Sequence, residues 1–160
     1  MKLCTPSRFA HVETLLARYG LRLELTPAET AIPGSFWGDS EAGIVRNNVY
    51  VRADTPVHSA LHEACHTICM DSLRRAHVHT DAGGDFAEEN GVCYLQIVLA
   101  DYLPEFGKAT MFADMDEWGY SFRLGSAQAW FEQDAEDART WLIQHNLLTE
   151  DSKPMWHLRA

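Results

Sequence analysis

The sequence predicts an α+β fold, in which a small mixed sheet with a β-hairpin packs on two long central helices and a helical C-terminus follows. Three observations indicate this. First, 46% of the 160 residues are hydrophobic, which is enough for a substantial core. Second, apolar residues recur at helical spacing in several segments. Third, two short β-rich runs flank Asn47-Asn48. No internal repeat or linker divides the chain, so a single domain is expected over residues 1–160.

The first elements are a helix and a strand. Thr5-Pro6 supplies a helix cap followed by a proline at the first helical position, and Gly20 ends the helix. Leucine alternates with charged residues over 21–25, which is typical of a half-buried strand. Residues 26–43 are rich in Pro, Gly, Ser and Ala, and they indicate an irregular surface loop.

A hairpin then leads into the first long helix. Residues 43–46 and 49–52 predict two strands, because Asn47-Asn48 between them tolerates the positive φ angles of a tight turn. The helix is expected to begin at Pro56, with Thr55 as its cap, and to run to about Leu73.

The second long helix and the C-terminal region follow. Residues from Phe86 onward are apolar on nearly every side, and Pro104 ends this helix. We expect a looser stretch around 111–123. Ser126 then caps a helical C-terminal region.

The net charge of the chain argues against two classes of partner. The formal net charge of -10 argues against nucleic acid and anionic membrane surfaces as partners. No apolar run approaches the roughly 20 residues that span a bilayer, and the N-terminus lacks a secretory signal, so a cytoplasmic location is expected.

The four cysteines are interpreted as thiols, because that location is reducing. Cys65 and Cys69 lie one helical turn apart, a spacing that favours simple packing.

An HExxH motif, His62-Glu63-Ala64-Cys65-His66, lies in the first long helix. Residues four apart share one helix face, so His62 and His66 can present two imidazole nitrogens to one tetrahedral zinc ion. Both histidines lie nearly opposite the apolar stripe of this helix. Glu63 is turned by about 100° around the axis, beside the open position of such an ion, where a base could act on a bound water.

A hydrolytic zinc site needs a third protein ligand. The candidates are Glu88, Glu89, His77 and His79. Glu88 falls in the middle of the apolar stripe of the second long helix, whereas Glu89 lies at its margin. A carboxylate that projects from an apolar stripe is costly unless it is paired or metal-bound, and this favours Glu88. Alternatively, Glu88 closes a capping box with Asp85, and Glu89 or one of the two histidines is the ligand.

The segments around these residues resemble the gluzincin metallopeptidases, and most closely the small ImmA/IrrE-type and minigluzincin members. The resemblance comprises Leu61–His66, the short preceding strand Val49–Val51 and the segment Glu88–Leu95. In that family a glutamate near the start of a helix is followed at helical spacing by a small residue, an aromatic residue and an aliphatic residue. The matching positions here are Glu88, Gly91, Tyr94 and Leu95.

The resemblance implies a zincin-like fold and a zinc metallopeptidase. His62, His66 and Glu88 would be the zinc ligands and Glu63 the general base for hydrolysis of a peptide or protein substrate. It also implies that the strand Val49–Arg52 is an edge on which an extended peptide can add as a further strand.

Three other functions share these residues. One is a zinc hydrolase of a non-peptide amide. Another is a zinc-binding regulatory or interaction protein without hydrolytic activity, whose site is closed by a fourth protein ligand such as Cys69. The third is a helical interaction module without metal. For hydrolysis, a group must also stabilise the oxyanion. The chemically suitable candidates are Tyr102, Tyr120, Arg123 and His145.

Overall fold

The computed structural model describes residues 1–160 and has an α+β fold of seven helices and a three-stranded mixed sheet. The predicted fold class and the helical C-terminus are confirmed. The elements in chain order are α1 Pro6–Ala17, β1 Arg22–Leu25, β2 Gly43–Val45, β3 Asn48–Val51, α2 Val57–Cys69, α3 Ser72–Arg75, α4 Phe86–Ala100, α5 Gly107–Trp118, α6 Ala127–Gln133 and α7 Glu136–Gln144.

The sheet has the strand order β1-β3-β2, with β3 in the centre. β1 runs parallel to β3, with Leu23 opposite Val49, and β2 is antiparallel to β3, with Ile44 opposite Val49. The predicted hairpin is confirmed. Its turn comes one residue earlier than expected, at Arg46-Asn47, and Arg46 has the positive φ angle, 54°.

The prediction that Val49–Arg52 forms a free edge is wrong, because β3 is paired on both sides. The outer side of β2 is also occupied. The backbone N–H of Arg46 donates to the carbonyl of Val78 at 2.8 Å, and the N–H of Thr80 donates to the carbonyl of Ile44 at 3.0 Å. Residues 78–80 therefore form the sheet border next to β2.

The first long helix ends earlier than predicted. Met70 has an extended backbone with ψ 155°, which ends α2 at Cys69. The side chain of Asp71 accepts a hydrogen bond from the N–H of Arg74 and caps α3. The expected single helix to Leu73 is thus two helices, because a capping aspartate follows directly after the break.

The expectation of a loose stretch over 111–123 is wrong for residues 111–118, because α5 covers Gly107–Trp118, whereas residues 119–123 lie outside helices and strands. The buried apolar face of α5 consists of Met111, Phe112 and Met115 and is interrupted by a buried aspartate, so the helical period is weak in the sequence. The cap predicted at Ser126 is confirmed, since its hydroxyl accepts a hydrogen bond from the N–H of Ala129 at 3.1 Å.

One cluster of 39 buried apolar residues forms the core, and α4 lies at its centre between α2 and α7. Leu61 and Ile68 of α2 and Leu95 and Leu99 of α4 are wholly buried in it. This packing determines which faces of α2 and α4 meet. None of the helices combines the length and the apolar character needed to cross a membrane.

Candidate metal site

Two histidines of α2 and one glutamate of α4 bring their ligand atoms together. The Nε2 atoms of His62 and His66 are 3.1 Å apart. The carboxylate of Glu89 lies against both, with Oε1 3.3 Å from Nε2 of His62 and Oε2 3.2 Å from Nε2 of His66. The three side chains are close enough to bind one metal ion.

The spacing of these atoms fits a small divalent metal ion. In a tetrahedral site with bonds of about 2.0–2.1 Å, ligand atoms lie about 3.3–3.4 Å from one another. The three separations between side chains here are 3.1, 3.2 and 3.3 Å. Two imidazole nitrogens and one carboxylate are also a donor set that metal ions take in hydrolytic enzymes. The residues present are therefore close enough to hold such an ion.

Glu88, the third ligand favoured by the sequence, is not part of this group. Its carboxylate is buried and lies 3.0 Å from Nη1 of Arg74 and 3.2 Å from Nη1 of Arg159. Successive helix positions differ by about 100°, so Glu88 and Glu89 point to different sides of α4. Of the two glutamates, the structure therefore brings Glu89 and not Glu88 to the two histidines, and the cost of burying Glu88 is offset by two arginines.

The capping aspartate of α4 and the two candidate histidines also lie apart from the ligand atoms. The side chain of Asp85 accepts a hydrogen bond from the N–H of Glu88 at 2.9 Å, so it caps α4. The Glu88 carboxylate turns to the arginines. His77 and His79 are exposed and lie outside the ligand group, and Nδ1 of His79 is 2.7 Å from the hydroxyl of Thr80.

A wholly buried glutamine, Gln96, orients His62. Its Nε2 donates to the backbone carbonyl of His58 at 2.9 Å, and a carbonyl can only accept. The amide oxygen therefore faces Nδ1 of His62, at 2.9 Å, and accepts a hydrogen bond from it. When His62 acts as a metal ligand, this hydrogen bond keeps its proton on Nδ1 and leaves the lone pair of Nε2 for the ion. The buried Nδ1 of His66 has no such partner.

The sequence carries a signal for this face of α4. Glu89, Cys93 and Gln96 lie at the margin of the apolar stripe, at positions four and seven residues apart. A polar residue two turns after a glutamate in an otherwise apolar helix indicates a polar strip facing another element. Gln96 was nevertheless not predicted as a partner of His62, because nothing local shows which element faces that strip.

The electrostatic surroundings of the site favour a positive charge. Burial acts to lower the pKa of His62, but the groups around it, among them the Glu89 carboxylate, raise it well above its ordinary value. Burial acts to raise the pKa of Glu89, but its hydrogen bonds with His62 and His66 hold it below its usual range. The surroundings stabilise the positive charge of a protonated histidine at this position. A metal cation bound there would carry positive charge as well.

The ligand atoms face an open cleft of about 420 Å³, which is also lined by Glu63 and Tyr120. Tyr120 is the only one of the four oxyanion candidates on this cleft. Its ring lies 5.5 Å from that of His62, and its hydroxyl is 3.1 Å from Nδ1 of His58. Burial raises the pKa of Tyr120 to about 12, so the hydroxyl keeps its proton at neutral pH. The other candidates have other partners: Tyr102 packs on Trp156, Arg123 pairs with Asp134, and His145 packs on Trp141.

Comparison with known proteins identifies no relative: the chain matches no protein family, no curated protein and no solved structure.

The two cysteines of the motif helix lie away from the ligand atoms. Cys65 and Cys69 are wholly buried in the core, and burial raises the pKa of both thiols. Cys69 lies on the side of Arg159, whose Nη1 donates to the Cys69 carbonyl at 3.1 Å. Neither cysteine belongs to the ligand group, so both have the surroundings of packing residues.

Proposed function

We propose that this protein is a zinc-dependent peptidase of the gluzincin type, with a zincin-like fold. His62, His66 and Glu89 hold the zinc, and Glu63 is the general base. The observation that carries this proposal is the open cleft in front of three protein ligand atoms, with a glutamate of the same motif on its wall. Catalytic zinc sites keep one position free in this way, whereas structural sites are closed by four protein ligands.

A regulatory zinc protein without hydrolytic activity is less well supported. It requires a fourth protein ligand, for which Cys69 was the candidate, and Cys69 lies in the core on the side of Glu88 and Arg159. A fourth histidine, cysteine or carboxylate does not join the group of His62, His66 and Glu89. The arrangement therefore favours a substrate-binding site over a purely structural one.

Besides the three ligands, two residues of the cleft, Glu63 and Tyr120, have distinct roles in the proposed hydrolysis. His62, His66 and Glu89 would hold the zinc ion, which would supply Lewis-acid polarisation of the scissile carbonyl and a lowered pKa for a water molecule. Burial raises the pKa of Glu63, although His62 and His66 act to lower it, and a carboxylate with a raised pKa is a better base. Glu63 accepts a proton from the attacking water and transfers it to the leaving amine. We assign the role of hydrogen-bond donor to the developing oxyanion to the neutral Tyr120 hydroxyl, because Tyr120 lines the cleft.

Replacement of Glu63 by glutamine tests the proposed base. We expect zinc content to stay at the wild-type level while kcat falls by roughly 10²- to 10⁴-fold, the range for loss of a general base. Hydrolysis of a peptide library, followed by mass spectrometry, gives the activity, and plasma mass spectrometry gives the zinc. Glu13→Gln, an exposed change on α1, is the matched control. A zinc-loaded wild type that cleaves no peptide would contradict the peptidase, and an active Glu63→Gln variant would contradict the base.

Replacement of Gln96 by leucine tests the orientation of His62. We expect the zinc dissociation constant to rise by about 10- to 100-fold, because Nδ1 of His62 loses its hydrogen-bond acceptor. Competition with a chromophoric chelator measures this constant. Gln96→Glu keeps an acceptor and should bind zinc more tightly than Gln96→Leu. Gln128→Leu, on the exposed face of α6, is the control. A constant for Gln96→Leu within about twofold of wild type would show that Gln96 does not support the ligand.

A further inference from the structure

Acidic side chains predominate in the lining of the cleft in front of the ligand atoms. Four carboxylates border it and no lysine or arginine does. The carboxylates are Glu41, Glu63, Asp81 and Glu89. The formal net charge of the whole chain, -10, adds to the same potential. A cleft with walls of low dielectric focuses such a field on whatever enters it.

Two of the four carboxylates have no role in the proposed hydrolysis. Glu63 and Glu89 together offset the two positive charges of a divalent ion, which leaves Glu41 and Asp81. Glu41 accepts hydrogen bonds from the Ser35 hydroxyl, at 3.1 Å, and from the backbone N–H of Trp37. Asp81 accepts one from the N–H of Gly83 at 2.9 Å. Neither is in an ion pair, so both charges are uncompensated by the protein.

Exposed aromatic side chains lie at the same cleft. Phe36 and Trp37 pack edge to face with ring centroids 4.9 Å apart, and Trp37 is 78% exposed. Trp118 is 44% exposed and its ring centroid lies 5.0 Å from that of His58. Aromatic faces attract ammonium and guanidinium groups, and they also cover the methylene stems of lysine and arginine.

A buried polar atom also lacks a partner beside the cleft. His58 lines the cleft and is wholly buried, its Nδ1 is next to the Tyr120 hydroxyl, and its Nε2 makes no hydrogen bond. Buried polar groups are nearly always paired in folded proteins. His58 is therefore an exception, and it lies in the wall of the cleft.

The sheet border at the cleft limits recognition through the peptide backbone. Residues 78–80 already pair with β2. Thr80 has a φ of 72°, which interrupts the extended conformation just where this segment reaches the cleft. A long regular ladder with a substrate strand is therefore not available here, and side-chain contacts carry more of the selectivity.

We propose that the cleft selects peptides with lysine or arginine beside the scissile bond, and that Glu41 and Asp81 together with Trp37 and Trp118 recognise that side chain. This specificity rests on the proposed peptidase function, but binding of cationic peptides can be measured without turnover.

Matched peptides test the proposal. Quenched fluorescent peptides that differ only in having Lys, Gln or Glu at the flanking positions are hydrolysed by the zinc-loaded protein. We expect kcat/KM for the Lys peptide to exceed that for the Gln peptide by about 10-fold at low salt, and the preference to shrink at about 0.5 M salt. In the double variant Glu41→Gln, Asp81→Asn, whose new side chains retain the acceptor oxygens, the preference should fall toward unity. Glu13→Gln should keep it.

A binding measurement separates failure of the specificity from failure of the enzyme. Fluorescence anisotropy of labelled Lys and Glu peptides is recorded with the zinc-loaded Glu63→Gln protein. Tighter binding of the Lys peptide, weakened by the double substitution, supports the proposal even if no peptide is cleaved. Hydrolysis with equal kcat/KM for the Lys, Gln and Glu peptides overturns it while leaving the peptidase in place. Equal binding of Lys and Glu peptides, or a preference that survives the double substitution, also overturns it.

Discussion

Zinc binding is expected to be lost in Glu89→Ala and retained in Glu88→Gln. Glu89 supplies the carboxylate that lies 3.3 and 3.2 Å from the Nε2 atoms of the two histidines, whereas Glu88 is bonded to arginines. Removing a direct ligand should raise the zinc dissociation constant by well over the roughly 10- to 100-fold that loss of a ligand's hydrogen-bond partner costs.

Plasma mass spectrometry after dialysis and competition with a chelator provide the two measurements. The neighbouring substitutions are matched controls for each other, because they alter adjacent positions of the same helical turn. Circular dichroism must show that Glu89→Ala is folded. Zinc retained by Glu89→Ala and lost from Glu88→Gln would return the ligand position to Glu88.

Loss of the buried Glu88 carboxylate is expected to reduce stability. Glu88→Ala should lower the free energy of unfolding by about 2–3 kcal/mol, somewhat less than the 3–5 kcal/mol typical of a broken buried ion pair. The expected loss is smaller than the typical value because the side chains of Arg74 and Arg159 are 35% and 22% exposed and regain some water. In a chain of this size the loss corresponds to a fall in Tm of roughly 5–10 °C.

Urea unfolding of the metal-free proteins measures this loss without a contribution from zinc binding. Glu13→Ala, an exposed change in a helix, should stay within about 0.5 kcal/mol of wild type. If Glu88→Ala unfolds at the same urea concentration as Glu13→Ala, the two arginines contribute nothing to stability through Glu88.

Local sequence patterns alone could not decide whether Glu88 or Glu89 faces the two histidines. The helical period separates the two side chains by about 100° and shows that only one can face α2. The cost of a buried carboxylate indicated correctly that Glu88 needs a partner. Those partners are Arg74 and Arg159, and Arg159 lies 71 residues further along the chain. No spacing within α4 reveals an ion pair of that sequence separation.

The sheet and α5 show the same limit. The hairpin of β2 and β3 is local, and its turn residues are visible in the sequence. The position of β3 in the centre depends on parallel pairing with β1, from which it is separated by a long loop. In α5 the buried Asp114 accepts a hydrogen bond from the backbone N–H of Lys2 at 3.0 Å, and this distant partner explains a polar residue on the apolar face.

The sequence by itself determined the features that depend on neighbours a few residues apart. These are the α+β class, the hairpin, the cap at Ser126 and the placement of His62 and His66 on one helix face, because helix and strand periods are set by the backbone. Only the tertiary structure decided that Glu89 meets the histidines, that Gln96 orients His62 and that an acidic, aromatic cleft opens beside them. These depend on how α2 packs against α4, which the whole core determines together.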